Sequence, residues 1–462
     1  MHETRIFDIT IEICVIFLIV FMPFAFGGVG LGPQIVLITA SQLVFLLFLA
    51  KAAKTGSFEF KGNVFLYVFT AFFAVIFFQA VPLPEALLKL LSPATYRNYV
   101  EFLPGYKENP SWRSISVFPA ATQIEMFKIL SYGLVSFVIV NTFNKKEQIL
   151  RFLSVISITG FAIACFGIMQ KFTYNGMIYW MQPVPEGASV FGPFVNKNHF
   201  AGFMELTIPI TAIFIFTEKP VEKKILFGFM AAVMLLALFL CLSRAGIISF
   251  FTAVSVTFTV LFYRRLKRYL IYVLPAFLIA TLSVIFITKN MLVERFATID
   301  KAFFSRLEIF KDVFRMISDF PVFGAGLGNF GTVFPLYKTI PLDLSFRNAH
   351  NDWLDFLAET GIAGFICIAI FIALFFKDLL YCHFLGKGRC VLQTDVSMRH
   401  DRFVILVIAA SLIAILSVIL HGFFEINMHI PSNILMAFVI GAIAMVAEHG
   451  DFHAKNEAGA TK

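Results

Sequence analysis

His350 and Asn351 stand together where a long polar segment gives way to an apolar run. Ionisable groups at the mouth of a membrane helix are costly to keep for packing alone, so they are candidates for function. A neutral imidazole can accept a proton from a hydroxyl group, which is the task of a general base. His350 is therefore a candidate catalytic base, although the same ring could simply hydrogen-bond a loop carbonyl.

The residues after His350 predict a helix that enters the membrane, from Asp352 to Lys377, with Asn351 or Asp352 as its N-cap. The partial positive charge of a helix N-terminus favours a neutral imidazole beside it. Small residues let helices approach closely, so we expect Gly361 and Gly364 to serve packing. The N-cap and the helix would together hold His350 at the start of the helix.

Acidic residues near these positions have both structural and functional interpretations. We expect Asp355 and Glu359 mainly to cap and orient neighbouring groups, and either could orient the imidazole. Glu205 lies seven residues after Asn198 and therefore on nearly the same helical face. A buried acid in a membrane either binds substrate or pairs with a basic group. A further polar cluster, His421, Glu425, Asn427 and His429, has no standard metal-ligand spacing.

The composition of the chain is that of a membrane protein. Of its 462 residues, 59% are hydrophobic and only 14% are charged, and the mean hydropathy is +0.84. A soluble domain would carry roughly a quarter of charged residues. The net charge of +8 comes from basic residues in short segments between apolar runs, which excludes a nucleic-acid-binding face.

A membrane span needs about 20 mostly apolar residues, and about twelve runs approach that length. The sequence thus predicts an all-α polytopic bundle over residues 1–449, followed by a disordered cytoplasmic tail over residues 450–462. The predicted spans are Ile9–Phe26, Gln34–Ala50, Val64–Val81, Gln123–Val140, Phe152–Gln170, Phe200–Phe216, Ile225–Leu242, Ala245–Phe262, Tyr269–Ile287, Trp353–Phe376, Phe403–Phe424 and Ser432–Ala447.

The distribution of Lys and Arg predicts the orientation of these spans. The even-numbered connections are rich in basic residues, as in the run from Arg264 to Arg268, and the short odd-numbered ones are nearly free of them. Basic residues stay in the cytoplasm, so both termini are expected there. Two long segments, residues 82–122 and 288–352, then lie outside the cytoplasm.

The second long segment has an internal pattern. Ser305 followed by Glu308 fits a capping box, and apolar residues recur at helical spacing afterwards. We predict an amphipathic helix from Arg306 to Ser318 whose apolar face lies on the bundle. That face is formed by Leu307, Phe310, Phe314 and Ile317.

Several ordered motifs resemble those of the bacterial O-antigen ligase and polymerase superfamily. The run from His350 to Gly364 has the form H-N-x9-G-x-x-G. The segment Gly192–Gly202 resembles the opening of the sixth span, and Leu242–Gly246 resembles the S-R-[AG]-G turn. Ser305–Leu307 followed by Pro321–Phe330 resembles the run before the histidine. Several motifs in order are more specific than one.

The resemblance implies a metal-independent glycosyltransferase without a cofactor in the bacterial inner membrane, with its active site facing the periplasm. The donor would be a glycan on undecaprenyl diphosphate and the acceptor a hydroxyl of lipid A core or a similar glycan. Because a guanidinium matches phosphate oxygens, Arg244 and Arg306 would bind the diphosphate beside the base His350. The residues expected to bind substrate are Asn351, Arg347, Asn196, Asn198, His199 and Glu205.

Two alternatives stay open. A repeat-unit polymerase of the same superfamily would differ only in its acceptor. A membrane transporter would also suit twelve spans and an intramembrane acid such as Glu205, but carriers have similar halves and broken helices near the bilayer midplane. No two halves of this sequence resemble each other.

Overall fold

The computed structural model describes residues 2–56, 64–185, 188–266, 308–339, 347–385 and 402–449. The chain forms two compact units. The first unit comprises Met1–Val64, Leu130–Leu261 and Leu374–Lys462, and the second comprises Phe65–Ile129 and Phe262–Ala373. The predicted cytoplasmic tail, residues 450–462, lies outside the described residues.

The described chain is almost entirely helical. In chain order the helices are α1 (His2–Phe24), α2 (Leu31–Thr55), α3 (Val64–Ala80), α4 (Glu85–Leu91), α5 (Pro93–Phe102), α6 (Pro119–Thr142), α7 (Lys146–Phe172), α8 (Lys197–Thr217), α9 (Val221–Leu240), α10 (Arg244–Leu266), α11 (residues 308–319), α12 (Phe330–Val333), α13 (Asp352–Leu385), α14 (Arg402–His421) and α15 (Pro431–His449). Two antiparallel strand pairs complete it: β1 (Pro82–Leu83) with β2 (Arg113–Ser114), and β3 (Met177–Ile178) with β4 (Gln182–Pro183).

Ten of the helices in the described residues are long and apolar enough to cross a membrane. They correspond to ten of the twelve predicted spans. The third prediction corresponds to α3, which has 17 residues and is shorter than the others. The ninth, Tyr269–Ile287, lies outside the described residues. The all-α membrane class is therefore confirmed, and the count of twelve stays a prediction.

Helix α8 lies at the centre of the first unit. In an 18-residue apolar stretch of α8, 78% of the residues are buried, whereas only 22% are buried in the corresponding stretch of the neighbouring α9. It packs against α7, α9 and α14. Phe214 of α8 stacks on Phe227 of α9, with ring centroids 4.2 Å apart. The polar side chains in the middle of α8, Glu205, Thr207 and Thr211, are therefore buried within the unit.

The second unit contains the described parts of the two long polar segments. In the first of them, β1 pairs with β2 around α4 and α5. In the second, α11 confirms the predicted amphipathic helix and only part of its predicted face. The residues of α11 and its end that join the core are Ile309, Val313, Met316 and Phe320. Of the predicted face, Ile317 packs against this core, Phe314 is 54% exposed, and Leu307 lies outside the described residues. The apolar positions allow two overlapping faces, and tertiary packing selects the one that is turned by about one residue.

Candidate functional site

In the second unit, Asn351 is the N-cap of α13. Its side-chain oxygen accepts hydrogen bonds from the backbone N–H groups of Trp353 and Leu354, at 3.0 and 3.1 Å. These contacts satisfy donors that a helix start leaves without intrahelical partners. Of the two predicted caps, Asn351 or Asp352, the structure selects Asn351.

His350 precedes this cap in a left-handed backbone conformation, with φ of 54°. Such a conformation is uncommon for residues other than glycine, and it persists only where the surroundings enforce it. The fully buried carboxylate of Asp355 accepts a hydrogen bond from the Ala349 N–H at 2.8 Å. Asp355 therefore holds the backbone on the N-terminal side of His350, and the half-buried imidazole is presented by a fixed turn (residues 347–352, the His350 turn).

Helix α13 is interrupted at Gly361, whose φ of 61° and ψ of −169° are not helical. The loop 321–326 fills the interruption. The carbonyl groups of Ala358 and Glu359 accept hydrogen bonds from the N–H groups of Ala325 and Gly326, each at 3.0 Å. On the other side, the Ile362 and Ala363 N–H groups donate to the carbonyls of residues 321 and 322. Gly361 is therefore more than the packing residue that the sequence predicts, because only glycine adopts this conformation readily.

The buried side chain of Gln79, on α3, connects this loop to α13. Its Nε2 donates to the carbonyls of Phe323 and Glu359, and its Oε1 accepts from the Leu327 N–H at 3.1 Å. Glu359 accepts in turn from the Phe330 N–H at 2.8 Å. The sequence predicts capping and orienting roles for Asp355 and Glu359. Asp355 accepts from the Ala349 N–H, just before His350, and Glu359 accepts from the N–H of Phe330, the first residue of α12.

Two basic residues of the second unit, Arg347 and Arg306, are predicted to contact the substrate. Arg347 is exposed, in the turn that carries His350. Arg306 lies outside the described residues. A cation that sequence reasoning missed is Lys128 of α6, which is 6% exposed and pairs with Glu125 at 2.5 Å. A Cβ added at Gly328 would lie 2.8 Å from Glu125, so this pair adjoins the turn that contains Gly324, Gly326 and Gly328.

In the first unit, Arg244 is the first residue of α10. The turn before it (Leu242–Gly246, the Arg244 turn) begins with a left-handed residue, since Leu242 has φ of 54°. The hydroxyl oxygen of the buried Ser243 accepts from the Gly246 N–H at 3.3 Å and so caps the helix. The side chain of Arg244 is exposed, and it forms no ion pair within the described part of the chain. The turn therefore presents a guanidinium at a helix N-terminus.

Glu205, a predicted substrate ligand, is completely buried in the middle of α8. Its Oε1 lies 2.7 Å from Nδ1 of His421, which is also completely buried. Sequence reasoning left open whether this acid binds substrate or pairs with a basic group. The partner is a histidine 216 residues away, a contact that no local sequence pattern could reveal.

Asn196, Asn198 and His199 lie at the start of α8. Asn196 is the N-cap and accepts from the Asn198 N–H at 2.8 Å. The Asn198 amide donates to Glu425 at 2.6 Å, and Asn433 donates to the His199 carbonyl at 2.9 Å. These bonds therefore join the start of α8 to Glu425, between α14 and α15, and to Asn433 in the first turn of α15.

Outside the membrane spans, burial raises the pKa of several phenols, among them Tyr179 and Tyr337. The pKa of Tyr179 is raised to about 12 by burial alone. The pKa of Tyr337 is raised mainly by burial and further by its hydrogen bond to Asp319, at 2.8 Å. Among the residues that the structure describes, no group of three or more His, Cys, Asp or Glu side chains is arranged to hold a metal ion.

The His350 turn and the Arg244 turn both lie in one stretch that comparison with known families identifies. Residues 229–369 match the family model described as O-antigen ligase. The resemblance to the O-antigen ligase and polymerase superfamily is thereby confirmed. The matched O-antigen ligase segment includes Arg244, Arg306 and His350, whereas Asn196, Asn198, His199 and Glu205 precede it. No curated protein matches the chain.

Together with the apolar helices, the match supports a multi-pass membrane protein with an O-antigen ligase- or polymerase-type function. This assignment implies glycan and lipid-linked substrates.

Proposed function

We propose that the protein transfers a glycan from undecaprenyl diphosphate to an acceptor hydroxyl on the outer face of the bacterial inner membrane. The match of residues 229–369 to the O-antigen ligase family carries this proposal, because the matched segment contains the candidate base and both candidate arginines. The acceptor is a hydroxyl of lipid A core or of a similar glycan. The transfer needs no metal and no cofactor.

In the proposed reaction, the acceptor oxygen attacks the anomeric carbon of the donor sugar. The bond between that carbon and the diphosphate oxygen breaks, and undecaprenyl diphosphate leaves with the electron pair. The hydroxyl proton passes to His350, which acts as general base. Arg244 and Arg306 bind the diphosphate and stabilise the negative charge that grows on it during departure. Asn351, Arg347, Asn196, Asn198 and His199 orient the substrates, directly or through the backbone that they hold.

The backbone geometry supports the roles of His350 and Arg244. A left-handed non-glycine residue stands at His350 itself, and another stands two residues before Arg244, at Leu242. Strained backbone of this kind is concentrated at functional sites, because the fold must hold it at a cost of roughly 1–3 kcal/mol per residue. An exposed guanidinium and a half-buried imidazole on two such turns are suited to act on a substrate.

The interruption of α13 is the feature that bears on the transporter alternative. Broken helices in carriers expose backbone groups to the transported ion or substrate. Here the backbone groups of residues 358, 359, 362 and 363 are hydrogen-bonded by the loop 321–326. The interruption therefore serves the fold of the second unit, and the enzyme is the better-supported proposal.

The test is transfer by the purified protein in detergent or liposomes. The donor is an undecaprenyl-diphosphate glycan, and the acceptors are lipid A core and a second molecule of the lipid-linked repeat unit. Mass spectrometry follows the products. A glycosylated lipid A core indicates the ligase, and a lengthened lipid-linked glycan indicates the polymerase. Absence of any product, together with uptake of the glycan into sealed vesicles, would overturn the enzyme in favour of a carrier.

A further inference from the structure

The buried pair Glu205–His421 lies directly beneath the Arg244 turn. The two side chains are completely buried and 2.7 Å apart, on α8 and α14 of the first unit. On α10, Gly246 lies against them. A Cβ at Gly246 would lie 2.7 Å from the Ala201 Cβ, 2.8 Å from Oε1 of Glu205 and 3.2 Å from Cε1 of His421. The first turn of α10 thus rests with its backbone against the pair.

This close approach has a steric consequence. Since a side chain at position 246 would overlap Ala201 and Glu205, the distance between α10 and α8 depends on glycine there. The close packing therefore fixes where α10 begins, and Arg244 is its first residue.

Hydrogen bonds hold the helix ends around the pair in place. One helical turn beyond His421, Glu425 accepts from the Asn198 amide at 2.6 Å, and the Glu425 N–H donates to the His421 carbonyl at 3.1 Å. Asn433 donates to Asn427 at 3.1 Å and to the carbonyl of His199. The end of α14 and the start of α8 cannot move independently while these bonds persist, so the pair has a fixed position under α10.

We propose that Glu205 and His421 are a positioning pair that sets the location of Arg244 through Gly246. Neither side chain reaches the surface, so neither contacts substrate. This proposal rests on the proposed function in one respect only, because it takes Arg244 to bind the donor diphosphate. A misplacement of about 1 Å at a group that orients a substrate can lower turnover by roughly 100-fold.

The experiment compares Glu205→Gln with Glu205→Leu. Glutamine can accept from or donate to Nδ1 of His421 in either tautomer, so it keeps the contact without the charge. Leucine removes the contact at similar volume. Thr211→Val is the matched control, because Thr211 is equally buried on α8 and its hydroxyl bonds only to its own helix and to Met234.

Two measurements are made on each variant. Amide hydrogen exchange of the peptide that spans the Arg244 turn reports how stably the turn is held, without any substrate. The transfer assay gives the KM for the lipid-linked donor and kcat. We expect Glu205→Leu to speed exchange in this peptide and to raise the donor KM by roughly 10-fold or more. Glu205→Gln and Thr211→Val should stay within about threefold of the wild type in both measurements.

The second variant, Gly246→Ala, disturbs the same contact from the α10 side and should reproduce the effects of Glu205→Leu. Unchanged exchange in the Arg244 turn of both Glu205→Leu and Gly246→Ala would overturn the proposal. So would a Glu205→Gln protein as impaired as Glu205→Leu with normal exchange, because that result requires the charge itself. If the wild-type protein transfers no glycan, the proposed function fails, and the exchange measurement still decides the positioning pair.

Discussion

His350 combines a reactive side chain with a backbone conformation that is hard to keep. We expect His350→Asn and His350→Ala to lower transfer by roughly 100-fold or more, because both remove the general base. Asparagine tolerates the left-handed conformation much better than alanine. The asparagine variant should therefore keep the wild-type Tm while it loses kcat, measured with saturating donor and acceptor. More than a tenth of wild-type activity in His350→Asn would exclude His350 as the base.

Arg244 offers a test of the diphosphate contact. Lysine keeps the charge but loses the planar fork that binds two phosphate oxygens. We expect Arg244→Ala to raise the donor KM or lower kcat by about 10-fold or more, with Arg244→Lys intermediate.

The control for this test is Arg264→Ala, a change at the cytoplasmic end of the same predicted span. Initial rates at varied donor concentration separate the two kinetic parameters. Equal losses in Arg244→Ala and Arg264→Ala would contradict both the contact and the predicted topology.

The interruption of α13 shows how one element depends on a segment distant in sequence. The φ and ψ of Gly361 lie in a region that is essentially closed to other residues, at a cost of roughly 1–3 kcal/mol. A Cβ at this position would also lie 2.6 Å from the Gly324 nitrogen. We expect Gly361→Ala to lower the apparent Tm of the detergent-solubilised protein, while Gly228→Ala, in open space on α9, should leave it unchanged or slightly higher. Equal Tm values for Gly361→Ala and the wild type would contradict this account, because they would show that α13 accommodates alanine at position 361 without loss of stability.

The end of α11 is held by the hydrogen bond from Tyr337 to Asp319. Because the folded state raises the pKa of Tyr337, the unfolded state loses its phenolic proton first as pH rises through about 10. This contribution to stability is complete below the unfolded pKa and declines above it. Thermal melts at pH 8 and pH 11 should show a smaller decline for Tyr337→Phe than for wild type. Tyr174→Phe, at an exposed phenol, is the control, and an unchanged decline in Tyr337→Phe would contradict this account.

The sequence predicts elements better than it predicts contacts between them. Hydropathy locates the ten described spans, and residue type alone identifies Asn351 as a candidate cap. These features depend on residues that are close in sequence. The Glu205–His421 pair and the bonds of Gln79 join residues more than 200 positions apart, and nothing local marks them. The predicted face of α11 was only partly right for a related reason, since its apolar residues fit two orientations and only packing selects one.

At the scale of the whole molecule, the reaction requires every catalytic group on the outer side of the membrane. The basic connections predict that both termini lie in the cytoplasm and that residues 82–122 lie outside. We expect alkaline phosphatase fused after Asn109 to be active, because this enzyme folds only outside the cytoplasm.

Green fluorescent protein fused after Lys462 should be fluorescent, and a phosphatase fused there should be inactive. Each reporter is fused at both positions as a control. A reporter that is active after Asn109 should be inactive after Lys462, and the reverse. The reverse pattern would place residues 82–122 in the cytoplasm. Arg244 precedes the predicted span Ala245–Phe262 and Arg264 follows it, so the same inversion would move Arg244 away from an outward-facing donor.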